Sequence, residues 1–406
     1  MEILKAYKFQ LKPNEADGRH LSRFAGSCRF VWNKALALQK ERLDAKEKRF
    51  TYNDLACHLV EWKRDRTTAF LAEANAQALQ QTLKNLDRAF RDAFNKKSPK
   101  RFPRFKKKGV HDGFRYPQGF KVDEANSRIF LPKIGWVLYR KSRPIEGTPK
   151  NVTVARQGDR WFVSIQTERE IAKPVHPSTS TVGIDLGVAN FATLSDGTVF
   201  PPLNSFKKRE QRLAFLQRRM SRKLKFSANW KKAKKRVTRC HEEIGNIRRD
   251  FLHKTSTAIS KNHAVVVIED LKVANMSKSA KGTKSAPGRN VRAKAGLNRA
   301  ILDQGWGEFR RQLEYKQAWR GGMVVAVDPK NTSRECNQCG HTARENRQSQ
   351  AGFLCVRCGH TQHADLNAAR NILAAGHAVF ACGESAQSGR STKQEPTERA
   401  SACIAA

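Results

Sequence analysis

Cys336, Cys339, Cys355 and Cys358 form two Cys-x2-Cys pairs separated by fifteen residues. Pairs at that separation close a tetrahedral all-thiolate site, and Gly340 and Gly359 permit the tight turn each knuckle needs. Four protein ligands leave no open position, so the spacing predicts one structural zinc ion. Acids stand out next. Asp185 lies in GIDLG at a strand-to-turn point, Glu269 and Asp270 end the apolar run AVVVI, and Asp365 begins the last helical segment. Singly, each has a bland reading as a turn residue, a cap, or an acid favoured by the helix dipole. Together they are hard oxygen donors able to hold two magnesium ions for phosphodiester exchange. Strand alternation puts Glu269 and Asp270 on opposite faces, and either could meet Asp185. Asp328, after MVVAV, is a further acid without a role, and His363 reads as a supporting residue rather than a ligand.

The elements that must position these groups follow from periodicity. EILKAYKFQL alternates as one strand, and a helical region follows, with N-caps at Asn14 (Asp17 three on) and Thr51 (Asp54 three on). The helix from Ala72 to Asn95 buries Leu79, Leu83, Leu86, Phe90 and Phe94. Another face carries Gln77, Gln80, Gln81, Lys84, Arg88 and Arg91, either a solvated face or one that reads a base edge while holding phosphates. KKSPKRFPRFKKK (96–108) holds eight basic residues, no acid and two phenylalanines, either a solvated linker or a backbone-tracking, base-stacking segment. Residues 109–170 alternate with period two around Gly158-Asp159, predicting a small antiparallel β-barrel that the N-terminal strand joins. After a linker at 173–180, the remainder reads as an α/β domain. Ser205–Cys240 is helical, with fifteen Lys/Arg against one acid, and 277–298 is a flexible basic loop. A helix covers Ala300–Trp319, ADLNAARNILAAG closes the domain with a Gly376 stop, and 381–406 reads as a disordered tail.

Of 406 residues, 78 are Lys or Arg and 37 Asp or Glu, a net charge of +41. With 39% hydrophobic residues the chain can build folded domains, and such a charge calls for a polyanion, a long stretch of nucleic acid. Apolar runs stay near five residues (AVVVI, MVVAV), which excludes a membrane helix, and the N-terminus lacks an apolar signal core. Odd, pair-wise cysteine usage predicts a reducing, cytoplasmic compartment.

Taken together, GIDLGVANFATLSDG, IEDLKVANM, DQGWGEFRRQLEYKQAW, TSRECNQCG and CVRCGHTQHADLNAARNIL, with FPRFKKKG and LQQTLKNLDRAF upstream, resemble the TnpB family. These are RNA-guided nucleases of insertion sequences, related to type V CRISPR effectors. The resemblance spans roughly residues 1–380, and its order of Asp, Glu, zinc ribbon, Asp is specific. It implies a multidomain α+β protein. A wedge β-barrel (1–12 and 109–178) carries an inserted helical recognition lobe (13–108). An RNase-H-like α/β RuvC nuclease (181–330 and 362–380) carries an inserted zinc ribbon (331–361). It also implies Asp185, Glu269 and Asp365 as the catalytic, magnesium-binding acids, preferring Glu269 over Asp270. A guide RNA from the transposon end, one protein chain per guide, would direct cleavage of double-stranded DNA by two-metal hydrolysis. Tyr52 and Gln80 fall where the family contacts a target-adjacent motif. Lys84, Arg88, Arg91, Lys106, Lys107 and Lys108 are the backbone-contact candidates, and 277–298 resembles a lid. The resemblance also implies a bacterial or archaeal host and a protein nucleoid-associated in use. The competing readings are a transposase with the same acids and no RNA, and a nuclease-inactive RNA-guided binder or zinc-ribbon regulator.

Overall fold

The computed structural model describes residues 1–387 apart from Lys97, Pro99 and His111, with side chains as far as residue 379. The described chain divides into two units, 1–172 with 226–239, and 173–225 with the residues from 240 onward. The first break falls at the start of the expected linker.

In the first unit, β1 (Glu2–Lys12) buries Tyr7, Phe9 and Leu11 on one side, as period-two alternation requires. Asn14 caps α1 (Glu15–Asp44), its Oδ1 accepting from the Asp17 N–H at 2.7 Å. Thr51 and Asp54 close a capping box on α2 (Tyr52–Arg64). A 3-10 turn (Ala69–Ala72) leads to α3 (Ala76–Phe94), which buries Leu79, Leu83, Leu86 and Phe90. Phe94, expected on that buried face, is 52% exposed, and its ring meets Phe102 at 5.2 Å. It lies at the last position of the helix.

Strands β2 (Gly113–Tyr116), β3 (Lys121–Asp123), β4 (Arg128–Leu131), β5 (Gly135–Arg140), β6 (Thr148–Gln157) and β7 (Arg160–Glu170) join β1 in one antiparallel sheet, ordered β2-β6-β7-β1-β5-β4-β3. β1 is central, so the helices are an insertion between strands of one sheet. β2 and β3 remain edges, so the expected antiparallel barrel takes the form of a half-barrel. Helices and sheet share a single apolar core, with Phe24 of α1 against Phe114 of β2 at 5.9 Å. The basic stretch after α3 is strapped down. The Trp32 indole N–H donates to the Arg104 carbonyl at 3.0 Å, and Asn33 exchanges bonds with both backbone groups of Lys106.

The second unit is built on β8 (Thr181–Asp185), β9 (Ala192–Leu194), β10 (Val199–Phe200), β11 (Val265–Glu269) and β12 (Met323–Val327), ordered β10-β9-β8-β11-β12. The first three are antiparallel, and β8, β11 and β12 run parallel, an RNase-H-type order. The basic stretch after β10 is two helices, α4 (Ser205–Ser221) and α5 (Ala228–Asn262). After the short α6 (Val273–Met276), the expected flexible loop is helical from Val291 onward. The helix expected at 300–319 is two, α7 (Val291–Gln304) and α8 (Trp306–Arg320), parted by Gly305 at φ +74°. A two-stranded ribbon, β13 (Gly352–Leu354) and β14 (Thr361–His363), runs straight into α9 (Ala364–Gln387).

Helix α9 passes through Gly376, which was expected to stop it, and takes in residues 381–387 of the expected disordered tail; residues 388–406 lie outside the described residues. Gly376 has a packing reason. A Cβ there would lie 2.4 Å from a methyl of Val267, and one at Gly183 would lie 2.2 Å from the Ala369 carbonyl oxygen. The two glycines let α9 lie directly on β8 and β11. Among the described residues, no helix is long and apolar enough to cross a membrane.

Candidate active site and zinc centre

Parallel β11 and β8 pair residue by residue up to Ile268 against Ile184. The next step along both strands sets Glu269 beside Asp185 on the same face of the pleat. Asp270 therefore points away: it is exposed, ion-paired with Arg310, and its N–H donates to the Val327 carbonyl. Asp365 comes from the first turn of α9, whose close seat on β8 depends on Gly183. Its Oδ2 accepts from the Asn190 amide at 3.1 Å, its N–H donates to His363 Nδ1 at 3.3 Å, and Arg347 lies 3.9 Å away.

Asp185 feels the other two carboxylates. Burial, and then the charges of Glu269 and Asp365, push the Asp185 carboxyl up to about 7, against the pull of Arg347 and of the Leu186 N–H. Glu269 is 8% exposed and is also raised by burial, opposed by the Thr332 hydroxyl that donates to its Oε1 at 2.7 Å. Three clustered acids with one guanidinium at their edge, in a strongly basic protein, are a donor set that fits hard divalent cations. Asp328 stands apart: it is exposed, and its Oδ1 accepts from the Lys330 N–H at 3.1 Å as a turn cap.

The four paired cysteines converge, with all four sulfurs within 4.8 Å of one another. Cys336 and Cys358 lie 3.7 Å apart, and Cys339 and Cys355 3.6 Å apart. Sulfurs at ~2.3 Å from a tetrahedral zinc would be separated by just such distances. The knuckles match: each glycine N–H donates to the first cysteine's carbonyl at 2.9 Å, with Gly340 at φ +69° and Gly359 at φ +71°. Cys336 and Cys355 pack with Phe353 and Ala364, the first residue of α9.

Residues without an assigned role in the sequence reading fasten this module to the acids. Asn367 donates to the Glu335 carbonyl and accepts from the Asn337 N–H, while Asn371 donates to the carbonyls of Thr332 and Glu335. Both are buried. Their signal was legible as two amides four residues apart on a helix that is otherwise apolar on that side. Thr332 and Asn190 lay inside quoted motifs, where only the fold gives them partners.

On the first unit, the Lys84 ammonium lies 5.1 Å from the centre of the Tyr52 ring, joining the start of α2 to the outer face of α3. Gln80, Lys84, Arg88 and Arg91 are exposed on that face, Arg91 paired with Asp87 at 3.1 Å. Lys107 and Lys108 are exposed. Lys106 differs: its ammonium sits 3.9 Å from the centre of the Trp32 ring, and burial lowers its pKa.

Comparison with known proteins adds the following. The OrfB_IS605 model, described as a probable transposase, matches residues 162–280, a Cas12f1-like TNB domain matches 306–372, and a helix-turn-helix domain matches 1–48. The chain is 60% identical over 398 residues to the putative RNA-guided DNA endonuclease InsQ of Escherichia coli (strain K12), covering 98% of each. It is 38% identical to a putative RNA-guided DNA endonuclease of Streptomyces pristinaespiralis, covering 99% of this chain and 98% of that one. Among solved structures, the Cas12f1–sgRNA–target DNA complex matches in fold with TM-score 0.50 and 15% identity, over 91% of this chain and 98% of that one.

Proposed function

Because the chain belongs to the OrfB/IS605 (TnpB) family, together with relatives named putative RNA-guided DNA endonucleases, we propose that it cuts double-stranded DNA selected by a bound guide RNA. The observation that carries this is the meeting of Asp185, Glu269 and Asp365 from β8, β11 and α9, in a protein of net charge +41. Asp185, Glu269 and Asp365 are the groups to hold magnesium, two ions in this reading. Bound there, the metal supplies charge neutralisation for the phosphate under attack. The chain's own residues do the rest. Thr332 fixes the Glu269 carboxylate by its hydroxyl, Asn190 orients Asp365, and burial keeps competing water from Glu269. Cys336, Cys339, Cys355 and Cys358 hold one zinc that keeps the start of α9, and so Asp365, in place.

The guide is an RNA from the transposon end, one chain per RNA, acting in the cytoplasm. Pairing reads sequence, while lysines and arginines hold the heteroduplex backbone. Tyr52 and Gln80 are assigned to the target-adjacent motif, and Lys84, Arg88, Arg91, Lys107 and Lys108 to phosphates. Lys106 keeps its assignment through its backbone segment, its ammonium being engaged with Trp32.

The test is purification of the full chain, sequencing of the RNA it retains, and incubation with a plasmid matching that RNA in magnesium. Cleavage that needs the RNA and the ion is the expected result. Cleavage or strand transfer without RNA would instead favour the transposase named by the family model, and RNA-dependent binding without cutting would favour a nuclease-inactive regulator.

A further inference from the structure

Helix α1 and the 3-10 turn before α3 face each other across a groove of about 520 Å³, lined by Arg23, Gly26, Phe30 and Lys34 on one side and Phe70 and Glu73 on the other. Phe30 and Phe70 meet edge to face at 5.3 Å, yet Phe70 keeps 43% of its surface exposed. The Lys34 ammonium stands 5.0 Å from the centre of the Trp62 ring. Arg23 and Glu73 pair across the mouth, both more than half exposed. An exposed pair contributes little stability, so an incoming phosphate can take the guanidinium from the carboxylate.

Gly26 is the telling residue. It sits mid-helix, where glycine weakens a helix relative to alanine. Nothing in the backbone requires it: its φ is not positive, and a Cβ would meet only an Arg29 nitrogen at an ordinary 3.8 Å. What the missing side chain provides is room in the groove.

We propose that this groove holds one nucleotide turned out of the stack of the bound nucleic acid, its base on the exposed face of Phe70 and its phosphate at Arg23 and Lys34. The volume falls within the range of small-ligand sites, and an aromatic wall beside cations is how an unstacked base and its phosphate are held. The inference rests on the nucleic-acid reading above and names a binding site separate from the cutting site. The ligand chemistry is the same for guide RNA and for a DNA strand, so the experiment has two arms.

The full chain is prepared with its retained RNA carrying 4-thiouridine in one arm, and in the other with a target duplex carrying 4-thiothymidine. Each is irradiated and the crosslinked peptides mapped by mass spectrometry. A crosslink within residues 23–34 or 69–74 in either arm is expected, and the arm identifies the strand. Phe70→Ala should weaken binding of that strand by roughly 5- to 150-fold. Gly26→Leu, which fills the groove, should abolish the crosslink, whereas Gly26→Ala should keep both crosslink and fold. No crosslink there in either arm, or a wild-type crosslink in Gly26→Leu, overturns the proposal. A chain that cuts DNA under RNA guidance yet fails this test loses only the groove; one that neither retains RNA nor cuts loses both readings.

Discussion

Replacing Asp185 with asparagine removes a charge that the fold holds at a cost, and the cost follows from its surroundings. The carboxyl is raised from 3.8 to about 7 by burial and by its two acidic neighbours. At ~1.36 kcal/mol per pKa unit, that shift sets a ceiling of about 4 kcal/mol. Asp185 is half-buried, so screening leaves on the order of 2 kcal/mol. The sign follows from proton counts. Between pH 4 and 7 the folded state keeps a proton that the unfolded chain has lost, so wild-type stability falls as pH rises through that window and is level above it. Asparagine never carries the charge. In magnesium-free buffer, the midpoint of thermal unfolding of Asp185→Asn should therefore match wild type near pH 4 and exceed it by about 4–8 °C above pH 7. Magnesium should raise the wild-type midpoint and not the variant's, closing the gap, because only the wild type gains a bound ion. Cleavage by the variant should be absent throughout. Equal midpoints at every pH, or a less stable variant at pH 8, would refute the claim that the three acids repel one another in one site.

Glu269→Ala should abolish guided cleavage with DNA binding retained, while Asp270→Ala should cut normally; the reverse pattern in a plasmid assay would mean the register argument is wrong. Purified chain should contain about one zinc by metal analysis, and Cys355→Ser should lose both zinc and cleavage, so full activity without zinc refutes the ribbon's role in seating Asp365. Gly183→Ala forces a methyl against the Ala369 carbonyl, and chemical denaturation should show a loss of about 1–3 kcal/mol. In a library of randomised flanking sequence, Gln80→Ala should change which motifs are accepted, whereas Arg91→Ala should weaken all targets alike; an unchanged Gln80→Ala profile returns that face to plain solvation.

Features fixed by near neighbours in the chain were readable in advance. The knuckle spacing, the Asn14 and Thr51 caps and the buried stripe of α3 depend on residues a few positions apart, and each appears where the spacing put it except at Phe94. Choices that depend on the partner strand or helix were not. Glu269 and Asp270 are indistinguishable by alternation, and the register of β11 on β8 separates them. Gly376 looks like a helix stop until Val267 is seen against it, and Gly305, inside an apparently continuous helix, turns out to part α7 from α8. Asn367 and Asn371 stand out by spacing as a pair of amides on one helix side, but only the fold shows which carbonyls they meet.

The seat of α9 on β8 also sets a timetable for synthesis. The residues of the first unit end at 239, whereas the acidic site waits for a helix that begins at residue 364 and continues past it. A ribosome at ~5–20 residues per second takes about 6–25 s to cross the roughly 125 residues in between. During that interval the nascent chain displays its Gln/Lys/Arg face and the Phe70 groove while Asp185 and Glu269 lack their third partner. A chain growing close to its own messenger thus carries a folded basic unit before its acidic site is complete.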